Sequence, residues 1–146
     1  MGRSQSREQA FILTFEKMFN PELSYADMQT LAAESELFAP DDFTEALYLL
    51  VEAHSEEADA HIKKYLKNWR LERLPKVSLA ILRLSVCEIL FSGDVPPGVA
   101  ANEAVNLAKK YATKDDASFI NGVLGSLIRE RAAGRAETSA AGTQAQ

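Results

Sequence analysis

The chain has 146 residues, 47% apolar and 25% charged, with a formal net charge of −5. That length makes one domain with a core of useful size, and the apolar share excludes an intrinsically disordered chain. The acidic balance argues against broad, sequence-blind nucleic-acid binding.

Other classes fall away on inspection. No apolar run approaches the roughly 20 residues of a membrane span, and the polar start around Arg3 and Arg7 lacks a secretory signal core. The lone cysteine, Cys87, rules out an internal disulfide framework, fits a reducing cytoplasm and reads as a small core residue. Charge is unevenly placed: eleven acids and no Lys or Arg lie between Glu22 and Asp59, whereas six bases lie between Lys63 and Lys76. Such asymmetry suggests separate surfaces for separate partners, or simply two solvated helix faces.

Hydrophobic periodicity predicts an all-α fold of about seven helices. The first covers 5–19, with Phe11, Phe15, Met18 and Phe19 at helical spacing, and Asn20-Pro21 ends it. Ser24 with Asp27 signals a second helix over 24–36. Pro40-Asp41-Asp42 opens a third, striped by Phe43, Ala46, Leu47 and Leu50, with an end near His54. Ser55 is a candidate cap for a fourth over 56–68, whose apolar face is Ile62, Tyr65, Leu66 and Trp69. The stretch 75–91 is apolar all round except for a strip of Ser78, Ser85 and Ser92, the pattern of a buried central helix.

Gly93 and Pro96-Pro97-Gly98 then break the chain. A sixth helix over 99–111 carries Ala101, Ala104, Val105 and Ala108 on one face. The last starts at Asp115 or Asp116, good N-cap residues, with Ile120, Val123, Leu124, Leu127 and Ile128 as its core stripe. Gly122 and Gly125 each cost this helix about 1 kcal/mol relative to Ala, which implies a close approach by a neighbouring helix or a ligand. Residues 1–131 are thus read as the folded domain and 132–146 as a disordered low-complexity tail.

No enzyme or metal motif is present: there is no phosphate loop, no CxxC and no HExxH. His54 and His61 stand about 10 Å apart on a continuous helix, too far to share a metal. Acidic pairs at helix starts are explained by capping and the macrodipole. Binding, with no cofactor, is the expected class.

The ordered set of motifs resembles the NusB family of transcription antitermination proteins. Ser6-Arg7-Glu8-Gln9-Ala10 opens the pattern, and Arg73-Leu74-Pro75-Lys76-Val77 leads into Ala80-Ile81-Leu82-Arg83-Leu84 and Glu88-Ile89-Leu90. Asp94-Val95-Pro96, Asn102-Glu103-Ala104-Val105 and Phe119-Ile120-Asn121-Gly122-Val123-Leu124 complete it. The resemblance implies two packed helical subdomains in a cytoplasmic bacterial protein. It implies binding of the boxA element of ribosomal-RNA operon transcripts together with NusE, a ribosomal small-subunit protein. The assembly then helps the RNA polymerase antitermination complex to read through terminators. This chain departs from the family in its thin arginine cluster, in Ser78 where an acid is usual, and in Gly125 where an acid commonly follows the Asn-Gly-Val-Leu run.

On that reading Arg3 and Arg7, one turn apart, are the first phosphate candidates, with Lys110 and Lys114 extending the patch. Phe119 either stacks on a base or fills the core, and Asn121 offers an amide to a base edge. Tyr65, Trp69, Arg73 and Ser78 are the candidates for the NusE surface, although Tyr65 and Trp69 read equally as core. Arg83 and Glu88, charged within a buried helix, are expected to be ion-paired, with an interfacial role as the alternative. Two alternatives stay open: a helical interaction or dimerisation module without RNA binding, and a NusB-like domain of a ribosomal-RNA methyltransferase. A homodimer is compatible with each.

Overall fold

The computed structural model describes residues 2–34, 40–67 and 70–144, with side chains described as far as residue 134. The helices are α1 Arg3–Phe19, α2 Tyr25–Glu34, α3 Asp42–Lys63, α4 Lys76–Cys87, α5 Pro97–Tyr111 and α6 Lys114–Gln144, with no strand among the described residues. The expected helix ends at Glu36 and Asn68 lie outside the described residues.

Side chains set the helix starts. At α2 the Ser24 N–H donates to Asp27 Oδ2 and the Asp27 N–H donates to Ser24 Oγ, both at 3.1 Å, a reciprocal capping box. The same exchange opens α6 between Thr113 and Asp116, at 3.2 and 3.0 Å. The cap is therefore Thr113, earlier than the Asp115 or Asp116 that the sequence suggests, because an Asp three residues on can return the bond. At α3, Asp41 accepts from the Thr44 N–H at 2.8 Å and from the Ser6 hydroxyl at 2.6 Å. This cap also ties α1 to α3, and the two donors hold the Asp41 carboxyl at about 2.

The third and fourth predicted helices form one helix, α3, bent at His54 (φ −124°, ψ 16°). The break that Ser55 signals in sequence is thus a bend. The His54 ring stacks on Phe91 with centroids 3.9 Å apart. Before the bend, Tyr48 joins Leu13 and Met28 in a small cluster beneath α2. After it, Ala58 and Ile62 are fully buried in the main core.

Helix α4 packs on α1, α3, α5 and α6. Ile81 and Leu82 are fully buried in it, and truncating such a residue to Ala typically costs about 2–5 kcal/mol. One continuous apolar cluster runs from α1 and α3 through α4 to α5 and α6, so the two helical halves share a core. The serine strip of α4 is itself largely buried: Ser78 is 1% exposed and Ser85 3%. Ser85 satisfies its hydroxyl by donating to the Ile81 carbonyl at 2.8 Å, whereas the Ser78 hydroxyl has no hydrogen-bond partner among the described residues.

A wide π turn, Glu88–Ser92, follows α4 and stops at Gly93 in the left-handed region (φ 75°). Its carbonyls are met by side chains: Ser92 Oγ donates to Glu88 O at 2.8 Å and Arg131 Nη1 to Ile89 O at 2.9 Å. Helix α6 runs on past Ala132, through residues read from composition as a tail. Alanine is the strongest helix former, which accounts for the helical course, while the apolar cluster ends at Ile128. None of the described helices is long and apolar enough to cross a membrane.

Candidate nucleic-acid interface

Arg3 and Arg7 lie on the same side of α1, with their guanidinium carbons 4.8 and 5.3 Å from the Phe43 ring centre. Only Arg3 is exposed. Arg7 is 4% exposed; its Nε lies 2.9 Å from both Glu88 carboxylate oxygens, and its Nη2 lies 2.8 Å from Oε2. Arg7 is thus a buried structural partner of Glu88, and the expectation that it meets phosphate is corrected. Spacing placed the two arginines on one face correctly; it could not show that α4 and the π turn cover the second.

One residue further along, Glu8 points outward. Its carboxylate accepts from Lys110 Nζ at 3.0 and 2.7 Å, and this bond leads the influences that raise the Lys110 pKa. Ser4 Oγ donates to Glu103 at 2.8 Å. Both contacts join α1 to α5.

Helix α6 divides the remaining candidates. Lys114 and Asn121, seven residues apart and therefore on one face, line a groove of about 790 Å³ between α5 and α6 with Asn102, Lys109 and Ser118. Phe119 lies on the opposite flank, half-buried, and lines a second groove of about 400 Å³ with Lys64, Tyr65, Lys67, Gly122 and Ser126. A side chain added at Gly122 would meet no described atom within 4 Å, and at Gly125 the nearest is the flexible Arg129, at 3.2 Å. A neighbouring helix therefore does not explain these glycines. At Gly122 the space stays open to a ligand.

Of the partner candidates, Tyr65 is half-buried and donates its hydroxyl to Glu130 at 2.6 Å. Burial, reinforced by Glu130, pushes its phenol up to about 12. Trp69 lies outside the described residues. Arg73 is exposed in the short 3-10 turn Leu71–Arg73. Ser78 is buried and offers no surface to a partner. Arg83 binds Asp59 through two hydrogen bonds at 2.8 and 2.9 Å, the structural pairing its sequence context demanded.

A further surface escapes sequence reasoning. Phe11, Phe15 and Phe19 form a ladder along α1, with ring centres 6.0 and 5.0 Å apart. Phe11 is buried, whereas Phe19 is 54% exposed and carries Lys76 Nζ 4.8 Å over its ring. Tyr111, 38% exposed, packs on Phe11 at 5.0 Å. The signal was present: a four-residue repeat on a helix of 3.6 residues per turn rotates by about 40° at each step. A stripe that begins in the core therefore ends at the surface.

The chain matches the NusB family model over residues 4–129. It is 41% identical over 141 residues to the transcription antitermination protein NusB of Clostridium botulinum (strain Loch Maree / Type A3), an alignment covering 88% of this chain and 100% of that one. Its fold is similar to a chain in the crystal structure of a plectonemic RNA supercoil, with a TM-score of 0.79, 30% identity, and 88% of this chain and 95% of that chain covered. It is similar also to a chain of the antitermination factors NusB and NusE in complex with dsRNA, with a TM-score of 0.75, 28% identity, and 89% and 99% covered.

Proposed function

The chain belongs to the NusB family, and on that premise we propose that it acts in transcription antitermination by binding boxA-type RNA together with NusE. In this role it is a cytoplasmic binding protein with no catalytic step. The observation that carries the RNA reading is the pair of open grooves flanking α6. One offers Lys109, Lys114 and the amides of Asn102 and Asn121; the other offers the Phe119 ring beside an uncovered Gly122, with Lys64 and Lys67 at its edge. Recognition of unpaired RNA needs this combination of cations for phosphates, a flat ring for stacking and amides for base edges. Arg3 and Lys110 extend the cationic face along α1 and α5.

The NusE surface is assigned to the aromatic end of α1. Phe19, Lys76, Arg73 and Tyr111 present exposed aromatic and cationic groups of the kind that anchor interfaces. The partner and RNA surfaces then adjoin at Tyr111, whose ring carries Lys110 Nζ 5.4 Å from its centre.

Fluorescence anisotropy of a labelled boxA-type RNA tests the reading, with and without NusE and beside a scrambled RNA. Preference for boxA-type RNA that NusE strengthens is the expected result. Phe119→Ala should weaken binding by about 1–3 kcal/mol if the ring stacks on a base, and Phe19→Ala should remove the NusE enhancement while sparing RNA binding by the chain alone. Equal, weak binding to both RNAs in the presence of NusE would leave an interaction module without RNA recognition.

A further inference from the structure

The cations proposed above to meet RNA are not equally available. Among the described residues, Arg3, Lys109 and Lys114 have no ion-pair partner, while Lys110 is engaged by both oxygens of Glu8. The lysine side chain is 60% exposed and Glu8 only 27%, so the carboxylate is seated against the helix while the ammonium faces outward. An incoming phosphodiester oxygen meets an ammonium whose charge is already offset by an anion. The outward-facing lysine keeps an N–H for that phosphate, but the contact is weaker than one made by an unpaired lysine.

We propose that Glu8 is an affinity-setting residue: its carboxylate holds Lys110 in the free protein and lowers its contribution to phosphate binding. The inference rests on the RNA reading above and deepens it. Phosphate contacts carry no sequence information, so Glu8 lowers affinity for every RNA by the same factor and leaves recognition to the α6 grooves. The ratio between the right transcripts and the wrong ones is then unchanged, and Glu8 sets only how tightly the protein holds any of them.

The test is RNA binding by the full chain, measured by anisotropy on boxA-type and scrambled RNA across a salt series, with NusE present. The proteins compared are wild type, Glu8→Gln, Lys110→Ala and the double variant. Glu8→Gln should bind both RNAs more tightly by the same factor, roughly two- to fivefold for an exposed pair. One more phosphate contact should steepen the plot of log K against log salt by about 0.7. Both changes should vanish in the double variant. Unchanged or weaker binding by Glu8→Gln overturns the proposal. A gain that survives without Lys110 also overturns it, because that gain would reflect overall charge alone. Failure of every protein, wild type included, to prefer boxA-type RNA overturns the RNA reading and this inference with it. Preference by the wild type with no effect at Glu8 overturns the inference alone.

Discussion

Two ion pairs leave α1 from adjacent residues and do opposite work. Arg7 turns inward to Glu88, with both side chains about 95% or more buried, whereas Glu8 turns outward to Lys110 at the rim of α5. The charges and distances are nearly alike; only the surroundings differ. Inside, each charge is hostage to its partner, because an unpaired ion in low dielectric is severely penalised. Outside, water and salt replace a lost partner at little cost. The inner pair therefore serves the fold, and the outer pair is free to serve binding.

The largest effect expected is at the inner pair. Arg7→Ala should lower unfolding free energy by about 3–5 kcal/mol in urea melts, since it strands the Glu88 carboxylate. The double change Arg7→Met with Glu88→Leu should regain most of that loss, because apolar packing can substitute for a buried pair. If the double variant were as unstable as the single, the pair would have a role beyond mutual neutralisation. Arg83→Ala, which strips two hydrogen bonds from half-buried Asp59, should fall in between at roughly 2 kcal/mol.

Asp41 sharpens the comparison, being a carboxylate that caps one helix and accepts from another. Asp41→Ala should cost about 1 kcal/mol. The Asp41 carboxyl sits at about 2 in the folded chain against about 4 in an unfolded one. Its contribution is accordingly complete above about pH 4 and is lost as pH falls toward 2. Asp41→Asn, which still caps but does not titrate, should flatten the stability profile across that interval. The smallest effect is expected at the outer pair: Glu8→Gln should shift stability by less than about 0.5 kcal/mol. A loss as large as that of Arg7→Ala would erase the distinction drawn between the two pairs.

Much of the fold was legible because periodicity and caps are local. Ser24 with Asp27, Asp41 before α3 and the all-apolar run of α4 each announced an element from a few neighbouring residues. The bend at His54 was visible only as an ambiguous boundary, since a break and a kink look the same until the flanking halves find their packing partners. The site was harder to read. Arg3 and Arg7 look equivalent by spacing, yet cover from α4 and the π turn separates them. Ser78 looks polar, yet a small hydroxyl fits where helices close. Phe19 looks like the last rung of a core stripe, and only counting its rotation along α1 shows it leaving the core. Lys114, Asn121 and Phe119 were chosen from one short segment, and helical geometry sends them to two different grooves.

The π turn after α4 carries one residue more per hydrogen-bonded ring than an α turn. That surplus residue is absorbed within the turn itself: the five residues Glu88–Ser92 turn the chain through nearly the angle that one residue fewer would take as α-helix. Removing one residue there would therefore let the segment close as ordinary α-helix while Gly93, the prolines and α5 leave in nearly the same direction. The turn is a store of slack in the chain, and a single-residue deletion within it should leave a helical protein whose α5–α6 groove still faces α1.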